Sequence, residues 1–275
     1  MLKFRDWAKL DGETGKVLQY WGSNEFSLPH GITVDTDAIW LTDVGTHMIY
    51  KFAKNGTKIA EMGKKMTPGY GEKQFCQPTD VLIDQSTGDF FVSDGYCNGR
   101  VARYSKNFEY LKEFGGTYGY KPEDMDIVHD MAAGPGRQIF VTDRENGRIK
   151  ILNRDTFELE TEFHNREIIG PNIFASVFSF TTATLFLISS FSIVADKYPP
   201  SGFAFELDGT LRQKFQPQEK LDSPHDIAIS KDEKCLFMAH LRPHRIFKVS
   251  HQFFKPWQLL KFLKFKMAIL TKKYS

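Results

Sequence analysis

The sequence predicts an all-β chain built as a β-propeller of about five blades plus part of one. Two observations in the composition and one in the sequence order predict it. There are 25 Phe and 10 Tyr among 275 residues, and aromatic side chains favour strands. Gly at 21 and Pro at 12 supply turns without making the chain low in complexity. Most informative is self-similarity at a period of about fifty residues, the length of a four-stranded blade.

Taken in order, the opening stretch through Trp21 and Gly22 matches only the later part of a blade. The first full unit is LPHGITVDTDAIWLTDVGTHMIYKF, from Leu28, and the second is QPTDVLIDQSTGDFFVSDGYCNGRVARY, from Gln77. The third is IVHDMAAGPGRQIFVTDRENGRIKIL, from Ile127, and the last is SPHDIAISKDEKCLFMAHLRPHRIFKV, from Ser223. His30, Thr79, His129 and His225 align, the final gap being twice the others. A degenerate unit, NIFASVFSFTTATLFLISSFSIV, fills that gap, with Ala175 near the position the histidines hold elsewhere. Each unit reads as strand, turn, strand, tight turn, strand. Asp43, Asp94 and Asp143 end the second strands, and segments such as TKIAEMG and EYLKEFG supply the fourth. A lone blade cannot bury both faces, whereas a ring of blades can.

Residues 168–195 carry no charge and are long enough to cross a bilayer. Gly170, Pro171, Asn172 and the density of Ser and Thr point instead to two short buried strands. Residues 1–250 form the propeller and 251–275 a basic tail. In that tail Phe253, Trp257, Leu260, Leu263, Met267 and Leu270 recur at helical steps among lysines. It reads as an amphipathic helix after Pro256, in weak contact with a membrane surface or covering an open edge. It reads equally as a tail taking the place of a lost strand. With 36 basic and 34 acidic side chains, formal charge +2, there is no concentrated basic excess and no nucleic-acid partner is expected. The first residues show no secretory leader, so the chain is either cytosolic or preceded by further sequence.

Repeat phase places candidate chemistry. Because inner strands start at the Pro-His position and second strands return to the same end, His30, His129 and His225 converge on one channel. Tyr96, Arg144 and Arg148 lie on its rim. Three imidazoles suit a zinc ion with an open fourth position; equally, each could hydrogen-bond a neighbouring blade. Asp226 offers oxygen to a harder cation, although Asp80 and Asp130 share its phase, as turn carboxylates would. Pro243 between His240 and His244 forbids a regular helix, so both read as loop residues. Asn55-Gly56-Thr57 is a glycosylation sequon in a turn. Cys76 and Cys97 flank the second unit, where antiparallel return allows a bridge or leaves two free thiols; Cys235 reads as a buried thiol.

The strings LPHG, FCQPTD, FVSDGYCNGR, TDRENGR and SPHD resemble the peptidyl-α-hydroxyglycine α-amidating lyases, an NHL-type repeat propeller family that also forms the lyase domain of peptidylglycine α-amidating monooxygenase. The resemblance runs from about Gly12 to Val249. It implies a six-bladed propeller holding zinc on His30, His129 and His225, with calcium on Asp226 and the Ile32 carbonyl. It implies Tyr96 as catalytic base, Arg144 as substrate-binding residue and Cys76–Cys97 as a disulfide. The implied substrate is a peptide ending in α-hydroxyglycine, cleaved to an amidated peptide and glyoxylate by a monomer on the secretory route. The family's further N-terminal stretch, with an additional catalytic arginine, has no match here, and Arg5 does not take that role. A second family cysteine pair is also missing, near Ile139 or Phe140 and Lys150 or Ile151, and Ser223 replaces a family Met. These departures favour an alternative, a catalytically impaired propeller that serves as a peptide- or protein-binding scaffold. A calcium-dependent lactonase type fits less well, since it would place acidic or amide ligands where the histidines stand.

Overall fold

In the computed structural model the described residues are 7–22, 24–190, 197–216, 223–241 and 244–250, with the backbone of 264–266. The chain opens with a two-stranded sheet of β1 (Trp7–Leu10) and β2 (Val17–Trp21). Five four-stranded antiparallel blades follow. The first contains β3 (Pro29–Val34), β4 (Ala38–Asp43), β5 (Met48–Ala53) and β6 (Lys58–Gly63). The second contains β7 (Pro78–Ile83), β8 (Phe90–Asp94), β9 (Arg100–Tyr104) and β10 (Tyr110–Gly115). The third has β11 (Val128–Ala133), β12 (Gln138–Asp143), β13 (Arg148–Asn153) and β14 (Leu159–His164). A four-residue helix, α1 (Arg166–Ile169), leads into the fourth, with β15 (Ala175–Ser179), β16 (Thr184–Ser189), β17 (Ser201–Phe205) and β18 (Leu211–Phe215). The fifth has β19 (Pro224–Ile229), β20 (Cys235–His240), β21 (Arg245–Ser250) and β22 (Lys264–Lys266). The uncharged run is thus β15 and β16, and no described helix is long and apolar enough to cross a membrane.

Two expectations change. The described residues give five complete blades and a two-stranded sheet, so a count of six is not reached. Residues 264–266, inside the expected tail helix, are a strand paired with β21, occupying the outer-strand position of the fifth blade. The physical reason is the open edge of β21, whose unpaired backbone groups take a strand more favourably than a solvated helix. The rest of 251–275 lies outside the described residues, as does any membrane contact through it.

The core lies between blades. In β8, Phe90 and Val92 pack towards the first blade beside Trp40, Ile49 and Tyr104, while Phe91 packs towards the third beside Val141 and Phe157. Burial on both faces explains why second strands such as AIWLTD and FFVSD are buried throughout and begin with an unbroken apolar run rather than alternating. Each such ring or branched side chain contributes about 1.5–3 kcal/mol on burial, which favours stacking of sheets over isolated hairpins. Trp7 and Trp21 of the two-stranded sheet cover Ile39, Leu41, Tyr50 and Phe52 of the first blade, leaving Ile32 and Val34 on its inner strand 47% and 61% exposed.

The strand-ending aspartates are latches. Asp43 accepts backbone N–H groups from Ser27 and Leu28, which lead into β3, and from Gly45 and Thr46 of the following turn. Asp94 does the same for Cys76 and Gln77, and Asp143 for Asp126. Neighbouring blades come very close on the channel side: a Cβ on Gly31 of β3 would clash with the Thr79 carbonyl oxygen, and one on Gly95, just after β8, with that of Val128.

Candidate metal centre and active site

β3, β7, β11, β15 and β19 neighbour one another in that order around the channel. His30, His129 and His225 stand near the starts of the first, third and last of these strands. Their ligating nitrogens all lie within 4.8 Å of one another, with Nε2 of His225 3.1 Å from Nε2 of His30. Nδ1 of His30 meets the Thr79 carbonyl at 2.8 Å, and Nδ1 of His129 meets that of Phe174 at 2.7 Å. A carbonyl only accepts, so both Nδ1 atoms carry the proton and both Nε2 lone pairs face the centre. Zinc–nitrogen bonds near 2.0–2.1 Å in a tetrahedron separate ligands by roughly 3.3 Å; the His225–His30 pair at 3.1 Å matches that separation, and imidazole donors suit a transition metal of this kind. Nδ1 of His225 has no hydrogen-bond partner among the described residues.

Burial depresses all three imidazoles. His30 falls to about 4, through desolvation and against the help of the Thr79 carbonyl. His129 and His225 also fall well below the usual value, through desolvation, the other imidazoles and the Arg144 charge. All are therefore neutral at pH 7, the form that ligates metal.

The cross-blade contacts fix the phase of the degenerate unit. His30 reaches Thr79, and His129 reaches Phe174 by the same step. Phe174, not Ala175, therefore holds the histidine position in the fourth blade. Beside the histidine ring lies a carboxylate layer, Asp80, Asp130 and Asp226, lining the same pocket with Gly31 and Thr79. Asp80 accepts from the Met131 N–H at 3.1 Å and Asp130 from the Ser176 N–H at 2.7 Å, each one blade onward. Among the described residues Asp226 accepts from the amide of Ile227, its own neighbour. Burial, with Asp226 nearby, pushes Asp80 up to about 7, burial pushes Asp226 to about 6, and burial plus both neighbours raises Asp130 well above the carboxylate range. An oxygen set of this kind suits calcium. Gly31 rather than Ile32 lines the pocket.

Tyr96 comes from the turn between β8 and β9, which the Cys76–Cys97 disulfide ties to the segment before β7. Its hydroxyl lies 2.9 Å from His30 Nε2 and 3.1 Å from His129 Nε2. Burial raises the phenol and the Arg144 charge works against that rise. Arg144 sits in the matching turn of the third blade, its Nη1 3.5 Å from the Tyr96 oxygen. Arg148, expected on the rim, is buried instead, paired with Asp143 and Glu162 and donating to three carbonyls of residues 120–124. His240, expected in a loop, is the buried last residue of β20. Cys235 is half-exposed. Asn55 is exposed, its side chain accepting from the Thr57 N–H. Phe174, Glu145 and Asn172, around Arg144, were not singled out by motif; the cue was the repeat phase for Phe174 and adjacency to Arg144 for Glu145.

Blades of this design around converging histidines define a β-propeller with a candidate metal centre on its axis. The NHL repeat family model matches residues 75–104. The chain is a homologue of the peptidyl-α-hydroxyglycine α-amidating lyases over most of its length. It is 37% identical to the peptidyl-glycine alpha-amidating monooxygenase of Mus musculus over 81% of this chain and 23% of that protein. It is 34% identical to peptidyl-alpha-hydroxyglycine alpha-amidating lyase 1 of Drosophila melanogaster over 88% of this chain and 48% of that one. The probable lyase pgal-1 of Caenorhabditis elegans is 27% identical, with 85% of this chain and 67% of that one matched. The chain thus spans about a quarter of the length of the mouse and rat relatives. Among solved structures, virginiamycin B lyase from Staphylococcus aureus superposes with TM-score 0.60 at 15% identity over 90% of this chain and 72% of that one, a likeness of fold.

Proposed function

We propose that this chain is a zinc-dependent lyase that cleaves peptidyl-α-hydroxyglycine into a C-terminally amidated peptide and glyoxylate. The observation that carries the proposal is the packing of Tyr96 Oη against two of three converging imidazoles, with Arg144 beside it. His30, His129 and His225 would hold the zinc ion. Bound there, zinc would supply a positive charge that favours loss of the substrate hydroxyl proton. Tyr96 receives that proton and returns one to the departing nitrogen as the C–N bond breaks, so the carbinol carbon leaves as the aldehyde of glyoxylate. Arg144 holds the terminal carboxylate. Asp226 and its carboxylate neighbours would hold calcium as a structural ion, with the Ile32 carbonyl as a further ligand.

A six-position ring is part of this reading, supported by the two-stranded sheet packed on the first blade, which would be the outer strands of a sixth. The disulfide and the exposed Asn55 support passage through an oxidising, secretory compartment and glycosylation there. The protein acts as a monomer.

The test is release of glyoxylate from a peptide ending in α-hydroxyglycine. One amidated peptide per glyoxylate, loss of turnover with a chelator and recovery with zinc are expected. Zinc bound without release would leave the chain as a peptide-binding propeller without turnover.

A further inference from the structure

We infer that Glu145, held in place by Asn172, is the positioning residue that presents Arg144 to the substrate carboxylate. The inference rests on the lyase reading and extends it to two residues that touch no reacting atom. Glu145 uses both carboxylate oxygens: Oε1 accepts from Arg144 Nε at 2.8 Å and Oε2 from Asn172 Nδ2 at 2.8 Å. Asn172 lies between α1 and β15, so the clamp joins the turn that carries Arg144 to the loop entering the next blade. A backbone bond from the Ile173 N–H to the Arg144 carbonyl, 3.3 Å, closes the same junction. The guanidinium carbon sits 4.9 Å from the Phe174 ring centroid and 5.3 Å from that of Tyr96, so two aromatic faces hold its plane.

With Nε engaged by Glu145, the end of the fork formed by Nη1 and Nη2 remains for a ligand, and Nη1 already approaches the Tyr96 hydroxyl. A carboxylate received there in the two-pronged manner places its α-carbon beside Tyr96 and the histidines. Glu145 also carries a negative charge close to an anionic ligand. If that charge were its main influence, removing it would tighten substrate binding; if it positions Arg144, removal weakens binding. The two roles have opposite signs.

The experiment compares the whole chain with Glu145→Ala, Glu145→Gln and Asn172→Ala. It reads KM and kcat for glyoxylate release, zinc content, melting temperature, and calorimetric binding of an unreactive peptide ending in glycine, as free acid and as C-terminal amide. Glu145→Ala is expected to raise KM about tenfold while kcat changes less than about threefold, and to lower the preference for acid over amide to match. Glu145→Gln keeps an acceptor for Arg144 Nε and restores most of the loss; Asn172→Ala falls between. An unchanged or lowered KM in Glu145→Ala, or equal weakening of acid and amide, overturns the inference, and Asn172→Ala decides by the same criteria if the alanine variant at 145 does not fold. Should the unaltered chain prefer acid over amide yet release no glyoxylate, the lyase reading fails, while the acid-to-amide ratio of the variants still decides the role of Glu145.

Discussion

At the scale of single residues, neutrality and direction prepare the three imidazoles, and the two come from different sources. Burial keeps the rings uncharged, while carbonyls one blade onward aim two of them inward. His129, the most buried of the three at 3% exposed, combines both. His129→Ala is expected to abolish stoichiometric zinc binding, measured by metal analysis after gel filtration, and turnover with it. Tyr96→Phe should keep zinc but lower kcat by at least about a hundredfold, the ordinary contribution of a proton-transferring group; retained zinc with retained turnover would assign the proton step elsewhere. The histidines were legible because Pro-His and His-Asp recur in phase. Phe174 was not, since its blade lacks those marks and a one-residue slip points to Ala175. Arg148 misled because proximity in sequence to Arg144 says nothing of facing: it starts the strand after the turn, where the Asp143 carboxylate draws it inside.

At the scale of elements, blades are joined by backbone contact on the channel side and by ion pairs further out. Gly95 faces the Val128 carbonyl with no room for a methyl group, so Gly95→Ala should cost about 1–3 kcal/mol in urea unfolding as the second and third blades are pushed apart. Across the same pair of blades, Asp84 binds Arg137 at 2.7 Å and is approached by Arg154 at 3.5 Å. Burial alone would raise the Asp84 carboxyl, but hydrogen bonds from Arg137 and Ser86, with the Arg154 charge, hold it well below its ordinary 3.8. A depressed carboxyl contributes stability that is present above the unfolded value and lost as pH falls through the folded one. The stability difference between the native chain and Arg137→Ala should therefore be largest above about pH 5 and shrink below about pH 4, as followed by urea midpoints across that range. Strand order and turn positions were readable because period-fifty similarity and strand-ending aspartates mark them. The ion pairs between blades were not, because Arg137 and Arg154 lie far along the chain from Asp84 with no pattern linking them to it.

At the scale of the molecule, one asymmetry runs through the channel. His30 and His129 donate to carbonyls in the following blade, and Asp80 and Asp130 accept N–H groups there. Among the described residues, His225 and Asp226, in the fifth blade, have no following inner strand, Nδ1 of His225 has no partner, and Asp226 turns to its own neighbour. The ligand contributed by the last blade is thus the one whose ring is not fixed from behind, and losing such a partner ordinarily costs about 10–100-fold in metal affinity. The measurable consequence is tautomerism. In the metal-free chain at pH 8, nitrogen-15 spectra of the histidine rings should show His30 and His129 as Nδ1–H forms and His225 as the Nε2–H form that donates to His30. A His225 ring found as the Nδ1–H form would instead give all three ligands the same tautomer and remove the asymmetry.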